Sequence, residues 1–216
     1  MSTPDITLVI GNKNYSSWSL RGWLALRLTG AAFAEVLVPL DRPETRETLR
    51  RYSPSGLVPL LRIDGLEIWD SLAIGEYLAE RFPEAGLWPA DRATRALARS
   101  AVAELHSGFV ALRSEMSIDL RRRRSVVPSP ACQADIARVQ ALWRRCRALA
   151  GEGPFLFGAP SLADAFYAPV AGRFVTYGVA LEPEAAAYVR AIGDWALYRE
   201  WLAAAEVEPW DLGDHH

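Results

Sequence analysis

The chain has 216 residues, half of them hydrophobic and 23% charged, a composition that suits a folded globular protein of one large or two small domains. A formal charge of −2 and a pI near 6.0 speak against a nucleic-acid partner. No apolar run approaches the ~20 residues that a membrane-spanning helix needs.

The start, MSTPDITLVI, has no basic segment ahead of its apolar run, so no secretion signal is read there. The two cysteines, Cys132 and Cys146, fit neither a CxxC pair nor a metal-site spacing. A reducing, cytoplasmic setting and no bound metal are expected. One lysine, Lys13, stands against 23 arginines spread along the chain, which reads as compositional bias. The RRRR run at 121–124 is expected to be a solvated helix end rather than a phosphate-binding patch. The terminal Asp214-His215-His216 is given no function.

Taken in chain order, ITLVI (6–10) is a short apolar strand. The stretch GNKNYSSWSLRGWLAL (11–26) then changes from polar to apolar at Ser16 and Ser17, a strand-to-helix junction of the kind that holds anions. Leu20, Trp23, Leu24 and Leu28 recur at a helical period, with Gly30 as the C-cap. AEVLVPL holds a second strand near 35–38, and PETRETLRRYS a short polar helix with proline at its first turn. LVPLLRI and LEIW are two strands joined by Asp64-Gly65, a two-residue hairpin signal. Asp70-Ser71 opens the amphipathic helix SLAIGEYLAERF.

The order is therefore β-α-β-α-β-β-α, a mixed sheet with an antiparallel hairpin at its end. Residues 83–91, rich in Pro and Gly, form a linker. Beyond it, 92–124, 131–150, 161–178 and 184–204 all read as helices, the third opened by Ser161 with Asp164 in a capping-box position. The fold class is α/β plus all-α: one domain over 1–82, an all-helical one over 92–210, and a tail at 211–216.

Three features in this order resemble the cytosolic glutathione transferases and span nearly the whole chain. They are GLVPLL with its Val58-Pro59 pair, WDSLAIGEYLAERFP, and the Ser161-to-Asp164 start of a helix in the second half. YSSWSLRGWLAL is most similar to the serine-type classes, particularly the zeta-like SSC-x-x-R pattern, with Arg21 at the arginine and Trp18 at the cysteine. The resemblance implies a thioredoxin-like first domain, glutathione as co-substrate, no tightly bound cofactor, a small electrophilic partner and a homodimer.

It also implies roles for residues. Val58-Pro59 is expected to be a cis peptide that turns the Val58 backbone outward to pair with the cysteinyl part of glutathione. Asp70 and Ser71 are expected to hold the γ-glutamyl end, Asp70 at the amine and Ser71 at the carboxylate; helix capping is their plain alternative. A free thiol has a pKa of about 8.5, and one hydroxyl at a helix N-terminus lowers it by about one or two units. Ser16 falls at the catalytic serine of the pattern, with Ser17 and then Tyr15 as alternatives, and two purely capping serines as the bland reading. Trp18 replaces a thiol with an apolar wall, which disfavours mixed-disulfide chemistry and makes maleylacetoacetate-type isomerisation less secure. On AELHSGFVALRSEM, His106, Phe109, Val110 and Arg113 share one helical face and, with Tyr15, would meet the electrophile. Arg42 and Arg46 are both candidates for the glycine carboxylate.

The leading expectation is a glutathione transferase that activates the glutathione thiol for attack on a small apolar electrophile. A zeta-like isomerase and a glutathione-binding protein with little turnover are the alternatives. A serine hydrolase is disfavoured, since there is no G-x-S-x-G and only His106 is available as a base.

Overall fold

The computed structural model describes residues 6–150 and 152–213. Residues 1–5 and the terminal 214–216 fall outside the described residues. Strand β1 (Thr7–Ile10) and β2 (Ala34–Leu37) run parallel, joined by helix α1 (Ser17–Leu28). After α2 (Thr45–Tyr52) comes β3 (Leu60–Ile63), antiparallel to β1, then β4 (Leu66–Ile68), antiparallel to β3, and α3 (Ser71–Arg81). The sheet order is β2-β1-β3-β4. A parallel pair needs a crossover and α1 supplies it, whereas the antiparallel pair needs only a tight turn. Asp64 and Gly65 make that turn with φ of 51° and 78°, as a primed two-residue hairpin requires.

Both faces of the sheet are covered, which is why ITLVI is apolar throughout instead of alternating. Leu8, Ile10, Leu61 and Ile63 pack under α1 and α3 against Leu20, Trp23, Leu24, Ile74 and Leu78. On the other face Val9 and Leu60 meet Val38 and Leu49, the last from α2.

A 3-10 turn (Pro83–Ala85) leads to α4 (Arg92–Ser107), α5 (Val110–Glu115), α6 (Pro130–Leu149), α7 (Leu162–Thr176), α8 (Pro183–Asp194) and α9 (Ala196–Glu206). Helix α7 is the axle of this half. It starts in a capping box in which Ser161 and Asp164 satisfy each other's backbone, and only Val175 of its 15 residues escapes burial. One continuous core runs from Ile6 through α1 and α7 to Trp201, with the Trp23 and Trp201 rings 5.3 Å apart.

Several sequence expectations are corrected. The helix expected over 92–124 breaks after Ser107, because Gly108 turns off with its N–H on the Glu104 carbonyl and Phe109 takes a left-handed φ of 54°. A Cβ at position 108 would lie 2.7 Å from the Glu104 oxygen, so only glycine makes that turn. The RRRR run is therefore in irregular chain, not at a helix end, and most of it is tied down. Arg121 donates to the carbonyls of Glu208 (2.8 Å) and Trp210 (2.6 Å), Arg122 pairs with Asp211, and Arg124 with Asp119. The helix expected over 184–204 is two helices, split at Trp195 (ψ 120°), whose ring packs edge-on against Phe155. Pro43 precedes the N-cap Glu44 instead of entering the first turn of α2, and Thr29 is the C-cap of α1, with Gly30 just beyond at φ 73°.

Candidate active site

The polar half of the opening stretch is a set of ties. Asn12 accepts at Oδ1 from the Leu40 N–H (2.7 Å), and its carbonyl accepts from Tyr15 and Ser16. Asn14 is fully buried: its amide donates to Asp119 (2.9 Å) and accepts from the N–H groups of Leu120 and Arg121. The backbone N–H groups of Lys13 and Asn14 donate to the Glu208 carboxylate. These bonds fasten the mouth of α1 to the helical half.

Ser16 is the N-cap of α1. Its Oγ accepts from the Ser19 N–H at 3.2 Å and donates to Ser19 Oγ at 2.7 Å, while Ser19 Oγ accepts from the Gly11 N–H. Ser17 Oγ accepts from Arg173 Nη2 at 3.3 Å, an arginine that also donates from Nε to the Met116 carbonyl. Both serines line a cavity of about 350 Å³ with Tyr15, Trp18, Arg113 and Arg173. A second cavity of about 300 Å³ adjoins it, lined by Val58, Pro59, Trp69, Asp70 and Ser71. Trp18, Leu57 and Val58 belong to both walls, so the two form one bent cleft between sheet edge and helices.

Val58-Pro59 is a cis peptide, and neither the N–H nor the C=O of Val58 takes part in a hydrogen bond among the described residues. That leaves one extended-peptide edge open to the cleft. Asp70 caps α3, its Oδ1 accepting from Leu72 and Ala73, while His106 Nε2 stands 2.8 Å from its Oδ2. Ser71 is fully buried and its hydroxyl has no hydrogen-bond partner among the described residues, at the positive end of α3 and on the wall of the second cavity.

The cationic groups here outnumber the anions. Arg21 is fully buried between the rings of Trp18 (4.3 Å to the centroid) and Phe166 (5.4 Å), and none of its guanidinium nitrogens has a hydrogen-bond partner among the described residues. Burial, then the charges of Arg173 and Arg113, push its pKa down to about 9. Burial, then Arg113, push Arg173 down to about 10. Both stay cationic at neutral pH.

The expected electrophile residues divide. Arg113 and Tyr15 line the serine cavity, and the Tyr15 hydroxyl also meets Arg121, Asp211 and the Leu212 N–H. His106 lies instead at the Asp70 corner, edge-on to Trp18. The break at Gly108 destroys the shared helical face: Phe109 turns into the core and Val110 is 62% exposed. Arg42 and Arg46 are both exposed, and neither lines the cleft. Sequence reading missed Arg173, Asn12 and Asn14. The visible signal for Arg173 was a lone charge in the apolar run AFYAPVAGRFV, a residue that burial tolerates only with a task.

A four-stranded mixed sheet of order β2-β1-β3-β4 with a helical half behind it defines a thioredoxin-like first domain followed by a helical one. The family model of the glutathione S-transferase N-terminal domain matches residues 15–81, and that of the C-terminal domain residues 95–204. The chain belongs to the glutathione S-transferase family, which uses glutathione as co-substrate.

Among relatives, a maleylacetoacetate isomerase of Rhizobium meliloti (strain 1021) is 45% identical over 97 residues, and the chain spans only 45% of that protein's length. The maleylacetoacetate isomerase of Rattus norvegicus is 30% identical over 171 residues, 77% of each chain. A glutathione transferase homologue from Burkholderia, solved with bound glutathione, superposes with a TM-score of 0.71 at 26% identity, covering 94% of this chain and all of the other. Among the described residues no helix is long and apolar enough to cross a membrane, and no group of three His, Cys, Asp or Glu is placed to hold a metal.

Proposed function

We propose that the protein binds glutathione in the bent cleft, activates its thiol, and adds the thiolate to a small anionic electrophile. The buried, unpartnered Ser71 hydroxyl carries this reading. An unsatisfied buried hydroxyl costs about 1–3 kcal/mol, and a carboxylate at the α3 N-terminus removes that cost. Glutathione supplies such a carboxylate at its γ-glutamyl end, with the Asp70 carboxylate beside it for the amine. The Val58 edge takes the cysteinyl backbone, which points the sulfur toward the α1 mouth.

Ser16 is the proposed thiolate donor. Its proton rests on Ser19 Oγ in the free cleft. A thiolate is the stronger acceptor, and as the Ser16 proton swings to sulfur, Ser19 Oγ–H turns back to Ser16. Ser17 holds Arg173, and Arg173, Arg113 and Arg21 set a positive field at the nucleophile. That field favours the thiolate and, with Arg113 and Arg173 on the cavity wall, an electrophile that carries a carboxylate.

Two outcomes share this first step. If the adduct is retained, the reaction is transfer. If the adduct rotates about its carbon–carbon bond and expels the thiolate, it is cis–trans isomerisation. The three-arginine field and the isomerase relatives favour the second as an alternative of equal chemistry. A homodimer completes the proposal. Incubating the protein with glutathione and either a maleyl-type diacid or an aromatic halide, and following products by NMR, tests it. Turnover of neither substrate, together with no glutathione binding, overturns it.

A further inference from the structure

A third, separate cavity lies across α7 from the serines. Arg173 faces the thiol cleft, but Gly172, Val175 and Thr176, on the adjoining faces of the helix, line another cavity of about 130 Å³ closed by α8 and α9. The chain between α5 and α6 divides in the same way: Ser117 and Ile118 line the cleft, whereas Leu120 and Arg123 line the third cavity.

The cavity's wall is apolar apart from a few groups, and it contains no Asp or Glu. The Thr176 hydroxyl is spent on the Asp119 carbonyl. Tyr198 is only 4% exposed, and its hydroxyl has no hydrogen-bond partner among the described residues. Burial raises its pKa, so the phenol remains an O–H donor. The hydroxyl fits there because position 172 is glycine: a Cβ would lie 2.7 Å from Tyr198 Oη. At the rim stands Arg123, exposed and, unlike Arg122 and Arg124, without an ion pair among the described residues.

A largely apolar pocket that offers one neutral donor, one cation and no anion suits an acceptor with negative charge on a small apolar body. We propose that this cavity binds a small monocarboxylate, its apolar part held among α7, α8 and α9 and its carboxylate accepting from Tyr198 and Arg123. The volume limits the ligand to about the size of benzoate, below the 300–1,000 Å³ of ordinary drug-sized sites. The site is independent of the thiol chemistry and stands or falls apart from it.

Calorimetric titration of benzoate into the full chain, without glutathione, tests this. The wild type and Arg113→Gln are expected to bind one benzoate per chain saturably. Tyr198→Phe, which keeps the volume, and Arg123→Gln, which changes only an exposed side chain, are each expected to bind about tenfold more weakly, the loss of one charge-assisted hydrogen bond. If Tyr198→Phe fails to fold, Arg123→Gln decides alone. The proposal is overturned by no saturable binding, which leaves the cavity to water. Affinity unchanged in the two cavity variants, or lost in Arg113→Gln, which places benzoate in the thiol cleft, overturns it equally.

Discussion

His106 Nε2 stands 2.8 Å from Asp70 Oδ2, so the helical half of the chain holds the carboxylate that caps α3 at one end of the bent cleft. Asp70 thus has one oxygen on its own helix and the other on α4. The histidine therefore positions the group proposed to take the glutathione amine, and its ring lies edge-on to Trp18. Partly exposed pairs of this kind are worth ~0.2–1 kcal/mol. His106→Ala is expected to raise the KM for glutathione about two- to fivefold and leave kcat within a factor of about two. Steady-state kinetics check it; a fall in kcat at unchanged KM would return His106 to the chemistry.

Ser71→Ala separates ligand binding from capping. The Ser71 hydroxyl satisfies nothing in the free protein, so the variant should lose no stability and gain up to about 1 kcal/mol. Its glutathione affinity should fall about tenfold or more, since a hydrogen bond to a charged group is worth ~1.5–3 kcal/mol. Thermal unfolding and calorimetric titration read the two quantities separately. Unchanged affinity sinks the assignment of this corner to glutathione.

The two adjacent serines should differ. Ser16→Ala removes both the thiolate donor and the N-cap, so the pH profile of kcat/KM should move toward the free thiol's pKa of about 8.5 while stability falls by ~1 kcal/mol. Ser17→Ala deprives fully buried Arg173 of one acceptor and should lower stability by ~1–3 kcal/mol, with a smaller effect on the profile. If the profile shifts with Ser17→Ala and stays put with Ser16→Ala, Ser17 is the donor.

What was legible in the chain was local chemistry. Asp64-Gly65 demands a tight hairpin, Ser161 with Asp164 writes its capping box within four residues, and Asp70-Ser71 marks a helix mouth. What stayed hidden depends on partners far along the chain. Asn12 and Asn14 looked like loop polarity, yet their roles come from Leu40 and from Asp119 to Arg121. Ser17 meets Arg173, 156 positions away. The turn at Gly108-Phe109 sits between two Ala- and Leu-containing stretches of good helix formers, so no periodicity announces it. Its cause is tertiary: Phe109 is buried in the core while α5 lies against α6, where the Leu112 N–H donates to Asp135.

Asp164 gives the fold a testable pH dependence. The carboxylate is fully buried, and burial pushes its pKa up to about 6 against the pull of four donors, from Leu156, Tyr188 and both N–H and hydroxyl of Ser161. A folded-state pKa above the ordinary 3.8 means that the native state holds the proton more tightly than the unfolded chain. This group's contribution is therefore most favourable below about pH 3.8 and declines as pH rises to about 6. Between pH 7 and pH 5 it should add ~1 kcal/mol of stability to the wild type. Exposed Asp91 and Asp211 and half-buried Glu115, whose pKa values are lowered by hydrogen bonds, slope the other way, but they do so in any variant of Asp164. Asp164→Asn should be less stable at both pH values, because an amide cannot accept all four bonds. Its stability change between pH 7 and pH 5, from denaturant unfolding, should lack the ~1 kcal/mol gain. An identical pH dependence in both proteins would mean that the buried carboxylate titrates no differently from one in water.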